Sequence, residues 1–572
     1  MVKNWIIKQQ GDEKILRHLQ EVLGVDRPIA SILQQRGIET FEQAKIFFRP
    51  ELTHLHDPYL MKDMDRAIAR ISHAIASGEK VMIYGDYDVD GTTAVATVYS
   101  YFKEYFPEII YYIPDRYDEG YGISFKGIDF AAANSVRLVI ALDCGIKANE
   151  KIRYSNAKGV DFIICDHHTP GTEIPAAVAV LDPKRPDCNY PFKELSGCGV
   201  GFKLIQAFQS SRNLPFEDLI KYLDLLAVSI ASDIVPIIGE NRVLAYYGLK
   251  QINENPSTGI KTLLKLAAIQ NKVVTIEDIV FKIGPRINAA GRMESGRKSV
   301  DLLISDDTGL AQLMGVKIND FNVDRRTVDS SITQEALTMI QMDESMKNRK
   351  STVLFNPKWH KGVIGIVASR LMDHYYRPTV ILTQSNGFAT GSARSVNGFD
   401  LYQAIEECSD LLENFGGHKY AAGLTMKLNN VSAFQERFEK VVNGLILPDQ
   451  LIPVVEIDTE LQLSEINEKF FRILKQFQPF GPENMAPVFL TENVSDNGSG
   501  KQVGVNSEHL KLSLVHENDP YKVFPAIAFQ QGKLHSKISG GQGFDICYSL
   551  DENVYRGEST IQINIKDIKL DI

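Results

Sequence analysis

The sequence runs to 572 residues, a length that predicts about three or four domains at roughly 150 residues each. Its 44% hydrophobic and 23% charged residues are those of a soluble globular chain, and no apolar run approaches the ~18 residues of a membrane span. The net charge of −10 excludes a uniformly basic protein but not a local basic groove. The six cysteines lack the paired spacings of a zinc ribbon or a disulfide framework and fit a reducing cytoplasm.

Residues 1–60 read as a helical lead-in. The opening decapeptide has no long apolar core of the signal-peptide kind. Arg27-Pro-Ile-Ala-Ser-Ile-Leu-Gln-Gln-Arg-Gly37 has Pro at the start of a helix and Gly at its close, and a second helix over 63–77 leads to the first strand.

That strand, residues 81–84, ends in Asp86-Tyr-Asp-Val-Asp-Gly91, and the following Thr92 or Thr93 is the expected helix cap. Three carboxylates within five residues repel one another, and burying even one unpaired costs several kcal/mol. The alternatives are a solvated acidic turn or a divalent metal site with hard oxygen ligands. Residues 138–142 run into Asp143, 162–165 into Asp166-His167-His168, and 177–181 into Asp182-Pro183. Strands alternating with helices predict a mostly parallel sheet, so these acids converge on its carboxyl edge, where ligands bind in open α/β sheets. That convergence favours the metal site. Asp182, followed at once by Pro, reads as a turn.

Ser196-Gly-Cys-Gly-Val-Gly201 reads as a Gly-rich entry to a helix over 202–211, either close packing or an anion cradle. The next helix, 222–232, is almost wholly apolar yet closes on Asp233, a carboxylate that needs a partner. Further on, the loop Gly284-Pro-Arg-Ile-Asn-Ala-Ala-Gly-Arg-Met293 offers Arg286 and Arg292 as planar phosphate ligands. Residues 310–348 read as a charge-laced helical connector. A new βα pattern begins at Ser351, with a turn Gly391-Ser-Ala-Arg-Ser395 and a loop Phe415-Gly-Gly-His418. In these two, Ser392, Arg394, His418 and the N–H groups of Gly416 and Gly417 are available to phosphate. From about 448 short alternating runs predict a small β-barrel.

Asp86-Tyr-Asp-Val-Asp-Gly91, Asp143-Cys-Gly145, Asp166-His-His168 and Ser232-Asp-Ile-Val-Pro236 resemble motifs one to four of the DHH phosphoesterase superfamily. The segment Gly284–Met293 resembles a signature of its RecJ branch, the single-strand-specific 5′→3′ exonucleases. The resemblance extends from about residue 25 to the C-terminus, with departures at Glu483, Met485 and Ala486. It implies an α/β protein with a DHH parallel-sheet domain (61–250), a signature loop and connector (251–350), and a smaller α/β DHH-associated domain across a cleft (351–447). An OB-fold barrel (448–572) completes it and grips the strand by charge and stacking.

The resemblance further implies two divalent ions, Mn²⁺ or Mg²⁺, bridged by Asp143 and completed by Asp88, Asp90, His167 and Asp233, with Asp86 a ligand or an orienting group. His168 is expected at the scissile phosphate or its leaving oxygen, and Arg116, Arg286 and Arg292 at the terminal 5′ phosphate. A neutral imidazole ligand sets an expected loss of activity below about pH 6. The implied partner is single-stranded DNA, with a single-strand-binding protein and a helicase beside it, and the chain is expected to act as a cytoplasmic monomer in recombination and repair. A small-molecule phosphatase of the same superfamily lacks the signature and the barrel. A metal-free scaffold has no reason to keep the acids.

Overall fold

The structure is a computed structural model that describes residues 3–516, 519–555 and 557–570. Contact density divides the chain into two compact units. One comprises 57–233 and 247–453. The other comprises 3–56, 234–246 and 454–572.

The first unit opens on a five-stranded parallel sheet, ordered Ile110–Tyr112, Lys80–Gly85, Val136–Leu142, Asp161–Cys165, Ala179–Leu181. Its central strands are buried on both faces, as their continuous Val/Ile/Leu runs predict. Register matters most here. Gly85, Leu142, Cys165 and Leu181 are paired across the sheet as one row. The next residues along three neighbouring strands, Asp143, Asp166 and Asp182, therefore leave the sheet together, and Asp86 leaves beside them. Backbone bonds from Asp143 N to Cys165 O and from Asp166 N to Leu181 O, 2.9 Å each, carry the row one step past the sheet.

The helix after the first strand is Val89–Phe102, and its cap is Asp88, not Thr92 or Thr93. Asp88 accepts the N–H of Gly91 at 3.0 Å. The two threonine hydroxyls turn back onto the carbonyls of Asp88 and Val89, at 2.6 and 2.7 Å, the usual behaviour of Thr inside a helix. The Gly-rich entry is likewise helical from Gly197, capped by Ser196.

The segment Gly284–Met293 is an α-helix, not a loop. It continues a helical stretch that starts at Ile276, through a π-type segment over Ile279–Ile283. Its glycines serve close packing. A Cβ on Gly291 would stand 2.7 Å from Tyr87 O, and one on Gly284 would stand 2.8 Å from Ser232 Oγ. The connector is one long helix, Thr308–Met342.

Five more strands form the second sheet of this unit, ordered Asn414–His418, Ala421–Lys427, Phe388–Arg394, Thr379–Ser385, Thr352–Phe355. Two expectations are corrected there. Gly391–Arg394 lies in a strand instead of a turn, so Ser392 and Arg394 share a face. The Gly-Gly-His segment is the edge strand of a hairpin. Gly417 takes φ +150, and a Cβ there would meet Ala421 O at 2.3 Å, so its glycine is demanded by the hairpin itself.

In the second unit, Phe489–Asp496, Phe544–Tyr555, Glu558–Leu570, Asp519–Ala528 and His509–His516 pair in that order. Pairing of Val494 with His516 and Asp496 with Leu514 closes them into a barrel. The opening helices are more than a lead-in. Leu16, Leu19, Ile29 and Leu33 share one core with Phe470, Phe477 and the barrel's inner face. Arg242, buried to 4% exposure, stacks on Phe47 and donates to the carbonyls of Phe47, Phe477 and Gln478. The segment 479–487, which carries the departures at Glu483, Met485 and Ala486, is held in this unit, since buried Asn484 donates to the carbonyls of Phe477 and Pro479.

Candidate metal centre and its basic flank

At the carboxyl edge of the parallel sheet the acids crowd together, each positioned by a different element. Asp86 ends the first strand and accepts the Gly122 N–H at 3.2 Å through Oδ1. Asp90, in the first turn of Val89–Phe102, accepts from Gly197 N at 2.6 Å, Cys198 N at 2.9 Å and Ser229 Oγ at 2.6 Å. The N-terminus of the Gly197–Ser211 helix thus holds a carboxylate of the chain itself, where its N–H groups and dipole favour negative charge. Gly197 is obligatory for a further reason: a Cβ would stand 2.5 Å from Asp143 Cβ. Asp143 adopts a left-handed backbone, φ +58, which Asp tolerates better than most residues. Asp233 caps the C-terminus of the apolar helix Leu223–Ser232.

His167 sits at the centre of the cluster. Its Nε2 lies 3.2 Å from Asp143, 3.5 Å from Asp233 and 3.7 Å from Asp90. One ligand atom each from Asp90, His167 and Asp233 falls within 4.8 Å of the others, as does one each from Asp143, His167 and His168. Asp86 Oδ2, Asp143 Oδ2 and both ring nitrogens of His167 are buried without a hydrogen-bond partner among the described residues. Burial, then the charge of Asp88, drives the Asp86 carboxyl far above its usual range. Burial, then Asp90 and Asp88, does the same to Asp143 and lifts Asp233 to about 8. Such groups are costly unless a cation compensates them. Asp86, Asp88, Asp90, Asp143, His167 and Asp233 are mainly oxygen ligands with one imidazole, a set that suits Mn²⁺ or Mg²⁺. Burial lowers the pKa of His167, which favours the neutral imidazole that can ligate a metal.

Asp166 is not one of the open ligands. Its Oδ1 accepts from the backbone of His167 and His168 and from His168 Nδ1 at 2.8 Å, and its Oδ2 accepts from Ile146 N. Burial alone would raise its pKa, but the His168 hydrogen bond and charge bring it to about 2. Burial would also lower His168, but Asp166 lifts it to about 9. His168 is thus a fixed, half-exposed cation beside the acids. Asp182, as the sequence predicts, makes a turn, accepting Lys184 N at 2.7 Å.

A second cluster has the opposite sign. Arg116 lies 3.9 Å over the Tyr87 ring and donates to Gly291 O. Arg292 donates to Gly362 O, and Arg394 to Ser392 Oγ and Ala393 O. None of these bonds ends on a carboxylate. Burial, then repulsion from Arg116, Arg325 and Arg394, lowers Arg292 to about 10. Lys361, which the sequence reading missed, is lowered by burial and by Arg116. Its signal was the His-Lys-Gly run of residues 360–362, adjacent to the Arg292 contact.

Arg286 does not join them. Its guanidinium is taken up by Asn319, Lys282 O and Leu266 O, which makes it a brace between helices. Gly416, Gly417 and His418 are exposed on their edge strand. No hydrogen bond or ion pair joins them to the acids among the described residues.

Comparison with known proteins assigns the architecture. The model of the DHH family N-terminal domain matches residues 80–230, that of the DHHA1 domain 348–444, and that of the RecJ OB domain 457–567. The chain is 35% identical over 565 residues to the single-stranded-DNA-specific exonuclease RecJ of Bacillus subtilis (strain 168), covering 98% of this chain and 70% of that protein. The chain belongs to the RecJ family. Its fold is similar to that of RecJ of Thermus thermophilus in complex with Mn²⁺, with a TM-score of 0.85 and 26% identity over 100% of this chain and 80% of that one. The Mg²⁺ complex of the same protein gives a TM-score of 0.79 at 26% identity, over 100% and 79% of the two chains. In the DHH motif Asp166 accepts from His168 Nδ1, His167 faces Asp143, Asp233 and Asp90, and His168 stands half-exposed beside them.

Proposed function

We propose that this chain is a metal-dependent exodeoxyribonuclease that degrades single-stranded DNA from its 5′ end, in DNA recombination and repair. The observation that carries the reading is the buried His167 imidazole, without a hydrogen-bond partner among the described residues, whose Nε2 lies 3.2, 3.5 and 3.7 Å from the carboxylates of Asp143, Asp233 and Asp90. Asp86, Asp88, Asp90, Asp143, His167 and Asp233 would hold two divalent ions, Mn²⁺ or Mg²⁺, with Asp143 shared between them. Such ions, when bound, neutralise a phosphodiester and make water a competent nucleophile at neutral pH.

The protein's own groups do the rest. The His168 cation donates a hydrogen bond to the scissile phosphate or to the O3′ that leaves. Asp166 fixes the direction of that donation and keeps the ring charged. Arg116, Arg292, Ser392 and Arg394 receive the terminal 5′ phosphate, whose charge relieves their mutual repulsion. A terminus held there makes the enzyme an exonuclease and sets its polarity. Arg286 supports this group from behind through the helix it shares with Arg292. Gly416, Gly417 and His418, exposed on their edge strand, offer N–H groups and an imidazole to the strand's phosphates. The barrel is proposed to grip the strand beyond the scissile bond by stacking and charge. A single-strand-binding protein and a helicase are its proposed partners, and a cytoplasmic monomer its proposed working form.

Digestion of single and double strands labelled at either end, with Mn²⁺ or Mg²⁺ added to EDTA-treated protein, tests the reading. Loss of 5′ label as mononucleotide from single strands is expected. Release from the 3′ end first, or equal attack on duplex, would overturn it.

A further inference from the structure

The segment Gly120-Tyr121-Gly122 was not singled out by the sequence, yet it touches three of the groups around the proposed metal centre. Both glycines take φ +81, which bends the chain sharply on either side of the tyrosine. The bend is anchored to the first strand, since Tyr84 Oη donates to Gly122 O at 2.9 Å and accepts Ser124 N at 3.2 Å. The Gly122 N–H meets Asp86 Oδ1. Tyr121 Oη lies 3.0 Å from Asp143 O and 3.3 Å from His168 Nε2. Its ring stands 52% exposed, edge-on to the His168 imidazole at 5.8 Å.

The protons in this chain of groups can be assigned. A phenol has one proton, and the Asp143 carbonyl can only accept, so the Tyr121 proton goes to Asp143. The phenolic oxygen is left to accept, so His168 Nε2 donates to it. At the other end Asp166 is an acceptor as a carboxylate, so His168 Nδ1 donates there as well. The ring is thus held from both sides, by Asp166 at Nδ1 and by Tyr121 at Nε2. The same hydroxyl ties down the carbonyl of the left-handed Asp143.

Resting on the exonuclease reading, we infer that Tyr121 is a positioning residue for hydrolysis: its hydroxyl bridges the Asp143 carbonyl and His168 Nε2 and holds the imidazole in the orientation from which it reaches the reacting phosphate. In the free enzyme Nε2 rests against the tyrosine oxygen. In the complex a phosphate oxygen joins or replaces that contact, and the ring has no search to make. Groups held in attack geometry save the entropy of finding it, and a small misplacement costs up to about a hundredfold in rate.

Tyr121→Phe in the full-length chain removes the hydroxyl and keeps the ring. The turnover number on 5′-phosphorylated single strands should fall roughly tenfold to a hundredfold, with KM within about twofold. Mn²⁺ affinity by calorimetry and the melting temperature should stay as in the wild type. Against a His168→Ala background the same change should have almost no further effect, because the two groups act as a unit. Three outcomes would overturn the inference: unchanged turnover in Tyr121→Phe, a raised KM with unchanged turnover (a strand contact made by the phenol), or weakened Mn²⁺ binding with full additivity to His168→Ala (a role in holding Asp143 alone). A wild-type chain that leaves labelled strands intact would instead sink the exonuclease reading, and with it the premise.

Discussion

The first unit holds two clusters of like charge, and they differ in how finished they are. In the acid cluster the open atoms, Asp86 Oδ2, Asp143 Oδ2 and the His167 nitrogens, are buried and have no hydrogen-bond partner among the described residues. In the basic cluster every guanidinium of Arg116, Arg292 and Arg394 already donates to a carbonyl or hydroxyl, and each side chain is only partly buried. Buried, orphaned acids call for resident ions, because several unpaired buried charges are costly to the folded state. Partly exposed, partly satisfied cations suit a ligand that comes and goes, since the phosphate has only to improve on bonds already made. The comparison separates permanent cofactor from transient substrate by which polar groups already have partners.

Breaking the acid side should have the largest effect. Asp143→Ala is expected to lower hydrolysis at least about a thousandfold, in line with the several kcal/mol that Lewis-acid stabilisation contributes. Binding of single strands, measured by fluorescence anisotropy, should survive. Substantial cleavage by EDTA-stripped, metal-reloaded mutant protein would refute a two-ion centre built on this residue.

On the basic side the effect should be smaller and should fall on affinity. Arg292→Ala and Arg394→Ala should each raise KM for 5′-phosphorylated strands roughly tenfold to a hundredfold, the equivalent of about 1.5–3 kcal/mol for a charged hydrogen bond, with much less change on 5′-hydroxyl strands. Arg286→Ala supplies the contrast. It should lower the melting temperature, through the loss of its bonds to Asn319, Lys282 O and Leu266 O, and leave KM within about twofold. Equal KM effects from Arg286 and Arg292 would erase the distinction between brace and ligand.

A third experiment sharpens the claim that ions are resident. Asp233 has a folded pKa of about 8, above its unfolded value, and Asp86 and Asp143 are raised as well. Groups raised in this way favour folding while protonated, and that contribution is lost as pH rises towards and through the folded pKa. Metal-free protein should therefore melt lower as pH rises from about 6 to 9, by a few degrees. Mn²⁺ should restore it, with a larger increment at the higher pH. An increment that shrinks with rising pH would contradict the assignment of these acids as the ligands.

The smallest effect is expected at the edge of the row. Asp182 emerges in line with Asp143 and Asp166 but serves the turn at Lys184. Asp182→Asn keeps that acceptor and removes a charge that burial holds near neutrality, with a pKa of about 7. Activity should stay within about threefold and stability should be unchanged or slightly higher. A loss comparable to that of Asp143→Ala would make Asp182 part of the centre.

Much of this protein was legible along the chain. Apolar runs ending in Asp identified the parallel sheet and its active edge, because strand polarity and the step from strand to turn are local properties that the residues themselves encode. The apolar helix closing on Asp233 was readable for the same reason: a charge at the end of a buried segment needs a partner wherever the segment packs. What a sequence pattern leaves open is partner choice. Arg286 and Arg292 sit six positions apart in one motif, and only packing decides that the first braces helices while the second faces other cations.

The same holds for Gly284–Met293 and Gly416–His418. Glycine spacing suggested loops, whereas tertiary contact with Tyr87, Ser232 and the hairpin partner demanded glycine inside a helix and a strand. Apolar periodicity alone, then, indicated the fold class and brought the strand-end acids to one edge of a sheet, whereas the order of domains and the ligand set were what the resemblance to the DHH phosphoesterases implied. Only the tertiary structure decided which cations remain free of carboxylates, that the opening helices share a core with the barrel, and that one tyrosine hydroxyl joins Asp143 to His168. Those are contacts between residues far apart in the chain, and they are set by the register of the sheet and the packing of helices against it.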